Sequence, residues 1–88
     1  MELQEIEKAI ERFFVEREGE GISEIIRDID FIEEGILDSL DLVSLSVFIE
    51  SNLRKKIDVT DDQTFQSMRR FDSLVAMVNS ASATPTPR

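Results

Sequence analysis

The chain contains no cysteine and no histidine among its 88 residues. These absences exclude a thiolate nucleophile, a Cys/His metal site and the usual general base of a serine triad. A chain of this length also forms one small domain with a single core, which leaves no room for a deep cleft between subdomains. Most classes of enzyme are therefore excluded, and we predict a protein without catalytic activity of its own.

Cations are scarce as well, since 10 Lys and Arg stand against 19 Asp and Glu and the net charge at pH 7 is −9. Nucleic acids and anionic membrane surfaces bind clustered Lys and Arg, so neither is an expected partner. Most of the acids lie in residues 1–41, where fourteen acidic residues accompany four basic ones. This charge distribution predicts a partner protein with a basic surface.

Long apolar runs are also missing, and none is long enough to span a bilayer. The acidic N-terminal segment lacks the basic region of a signal peptide. We therefore expect no membrane span and a cytoplasmic location, with which the lack of cysteine agrees. We also expect the protein to be monomeric.

Apolar residues repeat at intervals of three and four along two long stretches, a pattern typical of amphipathic helices. The first predicted helix covers about residues 2–17. The second covers about residues 39–55, so that the basic residues 54–56 lie in its last turn, at the negative end of the helix dipole. Between the two helices, residues 18–37 are predicted to form a long, partly packed loop with one turn starting at Ser23.

Two further helices are predicted in the rest of the chain. Residues 60–63, Thr-Asp-Asp-Gln, have the form of a capping box, which predicts a short third helix ending near Met68. Asp72 can cap a last helix. Residues 81–88 are small and polar, and we predict that they are disordered. Residues 1–80 are therefore predicted to form an all-α four-helix bundle, with a long loop between helices 1 and 2 and a short third helix.

The acidic residues Asp28 and Asp30 resemble the beginning of a calcium-binding EF-hand loop. The match fails further on, because Ile32 stands at the third ligand position, Glu33 replaces the required glycine and Ser39 replaces the final glutamate. We therefore predict no specific metal site. We interpret these carboxylates as solvated side chains of an acidic loop.

Ser39 stands at the start of the second predicted helix, directly after the acidic loop. The triplet Asp38-Ser39-Leu40, a glycine shortly upstream at Gly35 and the order of helices over about residues 2–80 resemble the acyl carrier protein family. The resemblance implies that the Ser39 hydroxyl receives 4′-phosphopantetheine from coenzyme A, through a phosphopantetheinyl transferase. The thiol of that arm would hold the cargo as a thioester, and the cofactor would supply the chemistry. Independently of the family, a phosphodiester is favoured at a helix N-terminus by unpaired N–H groups and by the dipole.

A second Asp-Ser-Leu triplet, Asp72-Ser73-Leu74, also stands at a predicted helix start. A long helix, a short helix and a final helix follow Ser39, whereas only one short helix and a tail follow Ser73. The family pattern therefore fits the first serine alone. We interpret Asp72 and Ser73 as an ordinary helix cap.

The second helix departs from the family at its polar positions. Carriers of fatty acid synthesis usually present a strongly acidic second helix to basic patches on their enzymes, whereas this helix has serine or asparagine at several such places. This difference favours a specialised carrier of a fatty acid, lipid or polyketide pathway. The residues predicted to dock basic partner enzymes are Glu33, Glu34, Asp38, Leu40, Asp41, Val47 and Glu50.

Two alternatives remain open at the level of the sequence. Residues 30–39 also resemble D-alanyl and other aminoacyl carriers, which share the fold and the arm, so the cargo could be aminoacyl or peptidyl. The other alternative is an unmodified acidic helical adaptor that binds a basic protein through its loop. Only the carrier hypotheses need Ser39 as a nucleophile toward coenzyme A.

Overall fold

The computed structural model describes residues 2–81, and within that range the chain forms an all-α bundle of four α-helices without a β-strand. The elements in chain order are α1 (Leu3–Glu18), a 3-10 helix (Glu20–Glu24), α2 (Ser39–Leu53), α3 (Asp62–Ser67) and α4 (Phe71–Ser80). The predicted fold class, the long loop between α1 and α2 and the short third helix are confirmed. The predicted disordered tail lies outside the described residues, apart from Ala81.

Helix α1 forms because its apolar side chains recur on one side while charged residues cover the other. Its buried residues are Ile6, Ile10, Phe13 and Phe14. The helix ends at Glu18, and its C-cap residue Gly19 has a positive φ of 95°, a conformation that residues with a side chain rarely adopt. The predicted boundaries of this helix are correct to within one residue.

The loop between α1 and α2 is packed into the core rather than laid over it. It contributes four buried side chains, which are Ile22, Ile26, Phe31 and Leu37. The Phe31 ring stacks on the Phe14 ring of α1, with 4.3 Å between their centroids. The predicted turn at Ser23 is part of the 3-10 helix that begins at Glu20, and the Ser23 hydroxyl donates a 2.8 Å hydrogen bond to the Glu20 carbonyl.

Three predicted helix ends need correction. Helix α2 ends at Leu53, and Arg54 adopts the left-handed conformation with φ of 55°, so the basic residues follow the last turn instead of forming it. Helix α3 is capped by Asp61 and not by Thr60, because the Asp61 carboxylate accepts the Thr64 N–H at 3.0 Å. The Thr60 hydroxyl is bound instead by the Asp58 carboxylate.

The third correction concerns α4, which begins at Phe71 with Arg70 as its N-cap residue. Asp72 lies inside the first turn and does not cap the helix. Phe71 is fully buried, so core packing sets where this helix begins. Among residues 2–81, no helix has both the length and the apolar composition that crossing a bilayer requires.

Candidate functional site

Ser39 is the first residue of α2, and it is exposed. A reciprocal capping box stabilises the helix start, and it is formed by Asp38 before Ser39 and Asp41 after it. The Asp41 N–H donates to the Asp38 carboxylate at 2.9 Å, and the Asp38 N–H donates to the Asp41 carboxylate at 3.1 Å. Ser39 takes part in neither bond, so the cap is complete without the serine hydroxyl. The hydroxyl is thereby presented at the N-terminus of α2.

Both carboxylates of this capping box, those of Asp38 and Asp41, have partners within the protein. The Asp41 N–H keeps the pKa of Asp38 below its usual range, and the Leu40 N–H and the Arg17 guanidinium act in the same direction. Arg17, in the last turn of α1, also forms an ion pair with the Asp41 carboxylate. Asp41 is therefore both a cap residue and a partner of α1. The capping box could have been predicted from the sequence, because the pattern Asp-x-x-Asp at the helix start has the spacing of a capping box.

A surface cleft of about 370 Å³ opens beside Ser39. Its lining residues are Ile32, Gly35, Leu37, Asp38, Ser39, Leu42 and Phe65. The loop, the first turns of α2 and the short α3 each supply part of this wall. Most of the lining side chains are apolar, so the cleft suits an apolar group that is attached near the serine. None of this cleft was foreseen from the sequence, because its walls come from three separate segments.

Gly35 shapes the loop next to the cleft. Its φ of 73° lies in the left-handed region, where a residue with a Cβ is strained. The turn that it completes is closed by the Leu37 N–H, which donates a 3.0 Å hydrogen bond to the Phe31 carbonyl. This turn leads the chain from the buried Phe31 to the buried Leu37, and so fixes where α2 begins.

Helix α2 has two apolar faces, and only one of them is buried. The buried face consists of Leu42, Leu45, Ile49 and Leu53. The other face carries Leu40, Val43 and Val47, which are 78%, 49% and 56% exposed. Leu40 and Val47 were predicted as docking residues, whereas Val43 was not. The structure places all three on one stripe, at the spacing i, i+3 and i+7.

The remaining predicted docking residues occupy different positions around Ser39. Glu33 and Glu34 are exposed in the turn that leads to Gly35, which lines the cleft. Glu50 is exposed about three helical turns further along α2. The side chain of Asp41 is only 21% exposed and forms an ion pair with Arg17. The docking roles of all these residues stay predictions.

The second Asp-Ser-Leu triplet has a different environment. The Ser73 hydroxyl donates to the Ser67 carbonyl at 2.7 Å and approaches the Arg70 carbonyl at 3.1 Å. Asp72 accepts a 2.9 Å hydrogen bond from Arg27 of the loop. The prediction that this pair forms an ordinary cap is wrong in detail, since Ser73 ties α3 to α4 and Asp72 binds the loop. The two triplets are thus distinguished by what their serine hydroxyls contact.

Asp30, the residue at which the sequence resembles a calcium loop, is engaged within the protein. Its carboxylate accepts the Ile32 and Glu33 N–H groups and a hydrogen bond from Arg69. In the part of the chain that the structure describes, no group of three or more acidic side chains is arranged to hold a metal ion.

Comparison with known proteins gives no matching family model and no matching curated protein.

Proposed function

We propose that this chain is a carrier protein that bears 4′-phosphopantetheine on Ser39 and carries acyl groups as thioesters on that arm. The observation that carries the proposal is the placement of Ser39. Its hydroxyl is exposed at the first position of α2, it lies outside the capping box, and it borders an apolar cleft. Such a site is open to a modifying enzyme and to the cargo that the arm would bring back.

The modification is a phosphoryl transfer from coenzyme A. The Ser39 oxygen forms a bond to the phosphorus that carries pantetheine, and the bond to the leaving adenosine bisphosphate breaks. In this step the serine proton passes to a base of the transferase. The product is a phosphodiester anion at a helix N-terminus, where the dipole is favourable. Arg17 offsets part of the repulsion from Asp38 and Asp41.

The cleft favours an acyl cargo over an aminoacyl one. Ile32, Leu37, Leu42 and Phe65 offer hydrocarbon surface to a chain that folds back from the arm. Burial of a methylene group contributes about 0.8 kcal/mol, whereas a charged ammonium group loses hydration there. The specialised fatty acid, lipid or polyketide carrier is therefore the function that we favour, in the service of enzymes with basic docking patches.

Incubation with coenzyme A, Mg²⁺ and a broad-specificity phosphopantetheinyl transferase tests the proposal directly. Intact-mass measurement should show one added phosphopantetheine on the parent chain and on Ser73→Ala, and none on Ser39→Ala. A transferase that loads a control carrier protein but leaves this chain unchanged would favour the unmodified adaptor. Loading that is lost in Ser73→Ala and kept in Ser39→Ala would assign the modification to Ser73 instead.

The cargo is tested by loading the arm with hexanoyl or alanyl groups and recording methyl NMR spectra. We expect the hexanoyl group to shift the Ile32 and Leu37 methyl resonances, and the alanyl group to leave them in place. The matched control is Val47, whose methyl groups lie on the opposite, exposed stripe. Equal spectra for the two cargoes would remove the argument for an acyl carrier.

A further inference from the structure

The cleft beside Ser39 carries charge of one sign. Among the described residues that line it, Asp38 is the only charged one. The Asp41 N–H, which donates to the Asp38 carboxylate at 2.9 Å, keeps the pKa of Asp38 below its usual range. Asp38 is therefore ionised at neutral pH, and it supplies a negative charge to a cleft whose other lining residues are uncharged.

The cleft offers no positive charge to balance a second anion. In the part of the chain that the structure describes, no lysine or arginine lines it. Arg17, whose guanidinium also acts on Asp38, forms an ion pair with the Asp41 carboxylate and is not a lining residue. Glu33 and Glu34 are exposed in the neighbouring loop and add further negative charge. An anion that entered the cleft would therefore meet repulsion without a cationic partner.

Most of the remaining lining is hydrocarbon. Leu37 and Leu42 are only 2% and 5% exposed, so they lie deepest. Ile32 and Phe65 are partly buried and still have apolar surface that a cargo could cover. An uncharged acyl chain gains free energy by covering these side chains, whereas a carboxylate at the same place would lose hydration without compensation.

We propose that the cleft holds acyl groups whose free end is uncharged and rejects those that end in a carboxylate, with Asp38 adding repulsion to the rejection. This selectivity rests on the proposed function, since the cargo is what the arm on Ser39 would carry. It narrows the substrate class to monocarboxylic acyl groups. A dicarboxylic half-thioester would stay outside the cleft, because it is disfavoured by both its hydration and its charge.

A single thiol at residue 39 allows a test without coenzyme A. The sequence contains no cysteine, so Ser39→Cys has one reactive thiol, and the capping box does not use this side chain. Mixed disulfides with N-acylcysteamines attach acetyl, hexanoyl, adipoyl or methyl adipoyl tags to it. Only the adipoyl tag is charged at pH 7. The comparison of the tags is therefore independent of phosphopantetheine loading.

The uncharged long tags should stabilise the fold. We expect hexanoyl and methyl adipoyl to lower the equilibrium constant of urea unfolding about tenfold relative to acetyl, the effect of burying roughly two methylene groups. Both should shift the Ile32 and Leu37 methyl resonances, whereas adipoyl should match acetyl in both measurements. Phe65→Ala should remove the effect of hexanoyl, and Val47→Ala on the exposed stripe should keep it.

Asp38→Asn tests the charge itself, because asparagine caps a helix as well as aspartate does. In this variant the adipoyl tag should lower the unfolding constant about threefold relative to acetyl, which matches the strength of one exposed charge interaction. The matched control is Glu50→Gln, which removes an exposed carboxylate about three helical turns along α2. With that change the adipoyl tag should remain without effect.

Several results would overturn the proposal. Equal stabilisation by hexanoyl and adipoyl would remove the selectivity, and a methyl ester that behaves like adipoyl would mean that length decides. An adipoyl tag that does not respond to Asp38→Asn would remove the role of Asp38. No stabilisation by any tag would show that the cleft holds no cargo. A chain that takes no phosphopantetheine but distinguishes the tags as expected would lose the carrier function and retain the selective cleft.

Discussion

Arg69 donates a 3.0 Å hydrogen bond from Nε to the Asp30 carboxylate, across 39 residues of sequence. The same carboxylate accepts the Ile32 and Glu33 N–H groups at 2.9 and 3.0 Å. Burial raises the pKa of Asp30, but the Glu33 and Ile32 N–H groups and Arg69 outweigh this effect, so the pKa lies below its usual range. Asp30 thus closes a turn of the loop and ties that loop to the start of α4.

Stability that depends on Asp30 should vary with pH. Because the folded-state pKa is lowered, this contribution is complete above the unfolded value of about 3.9 and is lost as the pH falls through the folded pKa. Asp30→Asn should lower the free energy of unfolding by about 1–3 kcal/mol at neutral pH. Urea titrations should show a smaller difference from the parent chain at about pH 3. The exposed Asp28→Asn is the control, and an Asp30→Asn effect that is equal at both pH values would contradict the argument.

Gly35 and Gly21 form a matched pair for testing backbone conformation. A Cβ at either position meets nothing within 4 Å, but only Gly35 has a positive φ. Gly35→Ala should therefore cost about 1–2 kcal/mol through backbone strain alone. Gly21→Ala should be neutral or stabilise by about 0.4–1 kcal/mol, because it restricts the unfolded chain. Equal midpoints of urea unfolding for the two variants would refute the assigned conformation of the Gly35 turn.

Phe31→Ala should be among the most damaging substitutions in the chain, although Phe31 lies in a loop. Its ring is fully buried and stacks on Phe14, so its removal should cost about 3–5 kcal/mol. Phe48→Ala is the control, since Phe48 is only partly buried and should cost less. Thermal unfolding followed by circular dichroism compares the two. If Phe31→Ala cost less stability than Phe48→Ala, the loop would not be packed into the core.

The two serines of the Asp-Ser-Leu triplets should differ in stability as well as in loading. Ser73→Ala removes a donor that holds the Ser67 carbonyl, and it should cost about 1 kcal/mol. Ser39→Ala should leave the unfolding transition nearly unchanged, because the capping box of α2 does not use the Ser39 hydroxyl. Urea unfolding of both unmodified variants measures this. A larger loss in Ser39→Ala would mean that this hydroxyl is structural.

The helices were predictable where one face is charged and the other apolar. Helix α1 meets this condition, and its boundaries followed from the sequence. Helix α2 was also predicted from the sequence. Which of its two faces is buried could not be predicted, because Leu42 on one face and Val43 on the other are both apolar. Only the position of the other helices decides which of the two stripes is covered.

The contacts of the loop and the residues that cap the helices were harder to predict from the sequence. Residues 58–62 contain several side chains that can cap, and the backbone geometry selects Asp61. The stacking of Phe31 on Phe14 and the bond from Arg69 to Asp30 join segments far apart in sequence. The position of Ser39 could be predicted because a local signal, Asp38 before an apolar helix, marks it. The cleft beside it could not, because it exists only in the assembled fold.

The long reach of the loop contacts has a consequence for biosynthesis. Asp30 bonds with Arg69, and Arg27 bonds with Asp72 at 2.9 Å across 45 residues. A nascent chain exposes Ser39 long before these partners leave the ribosome, and the loop cannot be closed against them until then. The cleft, which also needs Phe65, is therefore a late product of folding. A ribosome-bound chain from which α3 has not yet emerged presents the serine and the helix start, but not the part of the wall that Phe65 supplies.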